Sequence, residues 1–256
     1  MPGDPRPSPK GKVVSLFVTC IVDMLYPGTG WSVVAILEHL GVRVDFPMGQ
    51  TCCGQPGFNA GHRPEAKQVA RQFLSAFKDA EVIVTPSGSC CAMVRHEYPA
   101  LFADDPQWAG VARRVAGITW ELTEFIVDGL GVTDLGLRLP EAGTFALHDA
   151  CHGLRLLGLS EQARALLGSV QNAQVEPLRN ADVCCGFGGL FSVKMADVSG
   201  AMLGQKVGDI ADCPAGTIVT GDVSCLTHIN GGLARQGVEK RVRHIADVLA
   251  DGLPKD

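Results

Sequence analysis

Eight of the ten cysteines in this 256-residue chain fall into two sets with nearly the same spacing. Cys52-Cys53-Gly54 recurs 132 positions later as Cys184-Cys185-Gly186. Cys20 has its counterpart in Cys151, 131 positions on, and Cys90 in Cys225, 135 positions on. Self-similarity at a nearly fixed offset marks an internal duplication. Each copy supplies a lone cysteine, a vicinal pair followed by glycine, and a further cysteine. Thiolate is a soft ligand, and about four of them hold an iron–sulfur cluster. The candidate ligands are Cys20, Cys52, Cys53 and Cys90 for one site, and Cys151, Cys184, Cys185 and Cys225 for the other.

Other uses of these thiols fit less well. The N-terminal stretch is polar and proline-rich, unlike an export signal, and in a reducing compartment metal or redox chemistry is the better reading of many cysteines. A Cys52–Cys53 disulfide would close a small strained ring and leave the repeated glycine unexplained. Structural zinc favours Cys-x2-Cys, which is absent from the sequence. Adjacent side chains diverge, so a vicinal pair chelates one ion poorly but can reach different irons of a cluster. The closely spaced cysteine run of bacterial ferredoxins is also missing. Glycine after each pair would let the backbone approach a cluster closely, with amides free to donate to sulfur.

Several residues near these sets carry weaker signals. Cys91 and Cys213 have no counterpart in the other copy and read as packing thiols. His148, His152 and His228 lie beside cysteines and could serve as ligands or proton donors. The plainer reading makes them hydrogen-bonding caps of strand and helix ends. His62, Arg63, Arg155 and Lys194 are candidates for a carboxylate substrate, arginine being suited to a bidentate contact.

The elements that must position the cysteines alternate between apolar runs and helical periodicity. Strands are expected at Val13–Val18, Val42–Phe46 and Glu81–Thr85, and again at Thr144–His148 and Thr217–Thr220, with Val175–Leu178 leading into the second pair. Helices are expected over Gly30–Leu40, Glu65–Phe77, from about Cys90, and over Trp120–Leu130. In the second copy they are expected over Leu154–Leu167 with a break near Gly158, Leu190–Ile210 and Arg243–Ala250. This order implies an α/β protein of two tandem pseudo-repeated domains, each with a largely parallel sheet and flanking helices. The stretch around Pro140–Gly143 divides them, giving residues 13–140 and 141–256 after a disordered lead-in over residues 1–12. Cys20, Cys90, Cys151 and Cys225 would then each fall just beyond the carboxyl end of a strand, where ligands collect in open α/β sheets.

A net charge of -5 and the absence of a lysine or arginine run exclude an electrostatic case for nucleic acid. The longest apolar stretch, near Val13–Val22, is too short to span a bilayer, so a cytoplasmic protein with no transmembrane segment is expected. No dinucleotide fingerprint, P-loop or nucleophile elbow is present.

The stretches SLFVTCIVDMLYP, VDFPMGQTCCGQPGFNAG, TPSGSC, HDACHGLR, CCGFGGLFSVKM and GDVSCLTHI together resemble the Cys-Cys-Gly domain family, which includes the glycolate oxidase iron–sulfur subunit and the cysteine-rich component of heterodisulfide reductase. The resemblance runs from Val13 to Ala250. It implies an iron–sulfur oxidoreductase subunit of a complex that oxidises L-lactate to pyruvate, with two partner subunits, one carrying ferredoxin-type clusters. Glycolate or another 2-hydroxy acid, heterodisulfide chemistry, and an electron-transfer module without its own substrate site are the alternatives. In heterodisulfide reductase each half ends in Cys-x2-Cys; here the first ends in Cys90-Cys91 and the second in Cys225 alone. That departure favours ordinary [4Fe–4S] clusters, one per half, over the non-cubane type.

Overall fold

The computed structural model describes residue 6 and residues 8–254. It contains two four-stranded sheets, every strand pair parallel. The first runs in the order β2-β1-β3-β4, from β1 (Val14–Leu16), β2 (Val44–Asp45), β3 (Val82–Thr85) and β4 (Thr119–Glu121). The second repeats it as β6-β5-β7-β8, from β5 (Arg138–Leu147), β6 (Gln171–Glu176), β7 (Thr217–Thr220) and β8 (Arg241–His244). The tandem parallel α/β architecture expected from the sequence is present.

Buried parallel strands need apolar residues on both faces, and here alternate residues serve different cores. Val82 and Val84 of β3 face one hydrophobic cluster, and Ile83 between them faces another. In β5, Phe145 and Leu147 join the same first cluster while Ala146 faces a third. That first cluster is shared by the two sheets. It is filled by Val33, Ile36 and Leu37 of α2 (Pro27–His39), which follows α1 (Cys20–Leu25), and by residues of both copies further along the chain.

The remaining helices divide between outer and inner layers. In the first copy α3 (Gln55–Asn59) and α4 (Arg63–Phe77) follow the Cys-Cys-Gly loop. Next come α5 (Gly88–Ala92), which runs through a widened turn into α6 (Tyr98–Leu101), then α7 (Ala109–Ile118) and α8 (Leu122–Glu124). In the second copy α9 (Gln162–Ser169) precedes β6, and α10 (Phe191–Lys194) and α11 (Ala196–Ala211) precede β7. There α12 (Val223–Gln236) and α13 (Ile245–Ala250) complete the copy. α2 packs on α13, and α9 packs on α8 and the widened turn after it, so inner helices from both copies lie together in the shared core. α4 and α7 cover the outer face of the first sheet, α11 and α12 that of the second.

Four expectations are corrected. Trp120 and Glu121, expected in a helix, pair with Val84 and Thr85 as β4, and the helix begins at Leu122. Arg243 and His244 likewise belong to β8, with α13 starting at Ile245. In each case a hydrogen-bonding residue at the strand end caps the helix, so one continuous apolar segment changes its period. Residues 138–143, read as an interruption, are the irregular first part of β5, where the register with β6 shifts between Arg138 and Gly143. The expected helix over Leu190–Ile210 is broken at Met195 into α10 and α11. Of the expected lead-in, residues 1–5 and 7 lie outside the described residues; Arg6 stacks 3.5 Å over the Trp120 ring.

Two buried carboxylates at the start of α8 have opposite environments. Glu124 is paired with Arg95 at 2.9 Å and with Arg6. Among the described residues no cation forms an ion pair with Glu121. Its Oε2 accepts from Thr123 N at 2.7 Å, Thr123 Oγ1 at 2.6 Å and Glu124 N at 3.2 Å. Burial nevertheless pushes its carboxyl up from the ordinary 4.5 to about 7. The folded chain therefore binds this proton more tightly than the unfolded chain does. The resulting stability is complete below pH 4.5 and is lost as pH rises through about 7. The shift corresponds to about 3 kcal/mol. Glu121→Gln should flatten this dependence, measured as urea midpoints at about pH 5 and about pH 8.

Candidate iron–sulfur site

Each cysteine set gathers at the carboxyl edge of its sheet. Cys20 follows β1 and Cys90 follows β3, the adjacent central strands whose connections leave in opposite directions. Such a switch point opens a crevice beyond the strand ends. Cys52 and Cys53 enter it on the loop after β2. In the second copy Cys151 follows β5, Cys225 follows β7, and Cys184 and Cys185 lie beyond β6. The two crevices meet: all eight cysteines line one cavity between the halves.

Within each set the sulfurs touch in the same order. Cys53 Sγ lies 3.4 Å from Cys90 Sγ, and Cys185 Sγ lies 3.3 Å from Cys225 Sγ. The first sulfur of each pair accepts the following glycine amide at 3.4 Å, Gly54 to Cys52 and Gly186 to Cys184. Donation from Cys20, then from Cys53, holds the Cys52 thiol far below its usual range. Cys151 and Cys185 do the same for Cys184. The donors move the other way: Cys52 pushes Cys20 up, and Cys184 and Cys225 push Cys185 up. Neighbouring thiols at this spacing cannot all ionise against one another without a cation. All ten cysteines are free thiols. Converging soft donors with backbone amides aimed at sulfur fit a metal or iron–sulfur group.

The glycines have a further reason. Gly54 and Gly186 sit at φ 83° and 89°. A Cβ on Gly54 would meet Ala66 O of α4 at 3.2 Å, and one on Gly186 would meet Ser199 O of α11 at 2.9 Å. The close approach that excludes a side chain is thus to the following helix, while the amide serves the sulfur. Thr19, just before Cys20, also has positive φ (75°), a strained state for a β-branched residue. Strain of this kind is held where surrounding structure over-determines it, often at functional sites.

The sequence did not mark the residue that joins the two crevices. Asp222 is buried and caps α12, its Oδ1 accepting from Ser224 N at 3.0 Å. Its Oδ2 accepts from Ser87 Oγ and Ser89 N, both at 3.0 Å. Ser87 in turn caps α5 by accepting from Cys90 N at 3.3 Å. The caps of the two cysteine-bearing helices are therefore bonded to each other. The available signal was an Asp three residues before Cys225, at the N-cap position after an apolar strand.

The other candidates separate. His152 lines the cavity, its Nδ1 3.6 Å from Cys151 Sγ. His228 Nε2 lies 3.3 Å from Ser199 Oγ, and burial lowers its pKa. His148 is buried behind Cys185 and Cys225. His62, Arg63, Arg155 and Lys194 do not line the cavity; Arg63 lies over the Phe58 ring and Arg155 reaches Asp182 O. Cys91 and Cys213 are buried away from it, Cys213 beside Pro177 O.

A twice-repeated thiol set on tandem parallel sheets defines a cysteine-rich α/β protein. The chain belongs to the CCG cysteine-rich domain family, whose model matches residues 14–95 and 145–230. It is 48% identical over 236 residues to lactate utilization protein A of Geobacillus kaustophilus, covering 92% of this chain and 98% of that one. The same-named protein of an Exiguobacterium species is 49% identical over 242 residues, covering 94% and 98%. In three dimensions the chain resembles a hypothetical protein from Helicobacter pylori, with TM-score 0.64 and 9% identity. That match takes in 98% of this chain and 51% of the other, about half its length, and is a likeness of fold.

Asp222→Ala should cost about 2–4 kcal/mol, by loss of one cap and of the acceptor for Ser87 and Ser89. Asp222→Asn, which keeps a capping oxygen, should cost distinctly less. Chemical denaturation of the two variants side by side checks this, and equal losses would deny the capping role.

Proposed function

We propose that this chain is the iron–sulfur subunit of a cytoplasmic complex that oxidises L-lactate to pyruvate. The observation that carries the reading is the opening of two equivalent four-thiol sets onto one cavity, in a chain nearly half identical to proteins named for lactate utilization. In this reading residues 13–140 and 141–256 are the two domains, after a lead-in over residues 1–12. Cys20, Cys52, Cys53 and Cys90 hold one [4Fe–4S] cluster, and Cys151, Cys184, Cys185 and Cys225 the other. Such a cluster supplies one-electron transfer. The chain's own part is to present thiolates, to donate the Gly54 and Gly186 amides to sulfur, and to keep both sets beside a common opening. Two such sites match the two electrons that a 2-hydroxy acid gives up.

One feature favours a particular division of labour. Among the described residues no lysine or arginine lines the cavity, whose polar groups include Asn59, Ser89, His152 and Asp222. A substrate carboxylate would lack the cation that usually recognises it. The hydroxy acid is therefore bound on one of two partner subunits, and this chain carries electrons onward to a partner with ferredoxin-type clusters. Among the described residues no helix is long and apolar enough to cross a membrane.

Iron and sulfide analysis under anaerobic conditions tests the first claim. Cys52→Ser and Cys185→Ser should each lose about half of the iron, and Cys213→Ser none. Protein that stays colourless and iron-free after reconstitution would remove the reading, and loss of all iron from one substitution would mean a single shared site. Lactate should leave the spectrum of the isolated chain unchanged and bleach that of the assembled complex; bleaching of the isolated chain would place substrate here.

A further inference from the structure

The two halves are not chemically equal. Aligning Cys20 with Cys151 sets Phe17 against His148. Aligning the helix contacts of Gly54 and Gly186, Ala66 and Ser199, sets Phe73 against Lys206. In the first half Phe17 and Phe73 are fully buried and meet edge to face at 4.7 Å. The second half replaces this apolar pair with two buried nitrogen-bearing side chains. Both are tied to the loop that leads to Cys184. Lys206 Nζ donates to Asn180 O, and His148 Nδ1 lies 3.1 Å from Ala181 O.

The bond to Ala181 O settles which nitrogen of His148 carries the proton. A carbonyl only accepts, so Nδ1 donates and the neutral ring keeps its lone pair on Nε2. His148 is 1% exposed, and its Nε2 makes no hydrogen bond of good geometry among the described residues, although the ring lies close enough to Cys225 to help Cys185 hold that thiol below its usual range. Burying an acceptor without a partner is unfavourable, and natural sites of this kind have a reason. A ligand atom of His148 lies with Cys185 Sγ and Cys225 Sγ inside a group whose members are all within 4.8 Å of one another. Donation of one ring N–H to a backbone carbonyl while the other nitrogen faces thiol sulfurs is how metal-binding histidines are oriented. Phe17, at the same place in the first half, offers no donor atom.

We propose that His148 Nε2 is a nitrogen ligand of the second metal site, taking a coordination position that the four-cysteine assignment above gives to sulfur, so that this site is mixed sulfur and nitrogen while the first is all sulfur. The assignment rests on the iron–sulfur reading above. It also explains why the second half gave up an apolar contact that the first retains.

Full-length protein labelled with 15N-histidine, reconstituted anaerobically and reduced, should show a directly coordinated nitrogen in pulsed electron paramagnetic resonance, and its coupling should follow the isotope. Cys185→Ser should abolish that coupling and Cys52→Ser should keep it, with His148 intact in both. His148→Phe, which copies the first half, should abolish it as well. Wild-type protein with full iron and sulfide but no such coupling would overturn the assignment and leave the iron–sulfur reading standing. A coupling that survived His148→Phe would overturn it too, in favour of another histidine such as His152. Protein without iron would overturn both.

Discussion

One buried carboxylate fixes where the two halves meet. Asp222 caps the helix of Cys225 with one oxygen and, with the other, holds the serine cap and the backbone ahead of Cys90. A carboxylate out of water is costly unless donors surround it, and here the donors come from both copies of the repeat. The register between halves is set to hydrogen-bond precision at the roots of both cysteine helices. The position of Cys90 relative to Cys225, and so the shape of the common cavity, follows from that contact. Ser87 and Asp222 occupy matching places in the two copies, so the bond that joins the copies runs between equivalent caps, one a hydroxyl and the other a carboxylate.

The shared hydrophobic core makes this junction more than a local clasp. Neither sheet covers its inner face from its own copy alone: α2 lies against α13, and α9 against α8. Aliphatic residues from β1, β3, β5 and β7 enter one cluster with residues of these helices. The outer faces are independent, aromatic in the first copy and largely aliphatic in the second. Burial on the inner side supplies the rigid support, and polar bonds at the strand ends supply the alignment. The cysteine sets sit where the two meet, at the edge of the core. A metal site needs that placement, since its ligands must be held by packing while the group they hold stays within reach of a partner.

The repeat, the parallel sheets and the eight cysteines were legible because each leaves a local mark: doubled spacing, short apolar runs and a residue type that is seldom idle in number. The β4 and β8 strands were not, because Trp120 and Arg243 sit in segments with helical periodicity and pairing with a neighbouring strand overrode it. The role of the glycines was half legible. Their amides do meet sulfur, but the steric demand comes from Ala66 and Ser199, residues a dozen positions away that only folding brings near. The capping place of Asp222 left a signal, but its bonds to Ser87 and Ser89, like the surroundings of the His148 ring, were beyond reach for the same reason, since they lie in partners from distant segments.

The strand ends show how one physical cause gives both copies the same result through opposite chemistry. Glu121 ends β4 and His244 ends β8, at equivalent places, and each caps the next helix. His244 Nδ1 accepts from Ala246 N at 3.1 Å, and its Nε2 lies 3.1 Å from Pro86 O, to which it donates. Burial lowers the pKa of His244 and raises that of Glu121, because low polarity disfavours whichever form is charged. Both groups are thereby driven toward neutrality. A neutral imidazole has one acceptor and one donor, and a neutral carboxyl has the same pair, so either can cap its own helix while keeping a donor for the other side. The His244 donor is used on Pro86, in the short link that leads from β3 into the helix of Cys90. Two residue types that look unrelated in the sequence thus do the same capping work at equivalent strand ends.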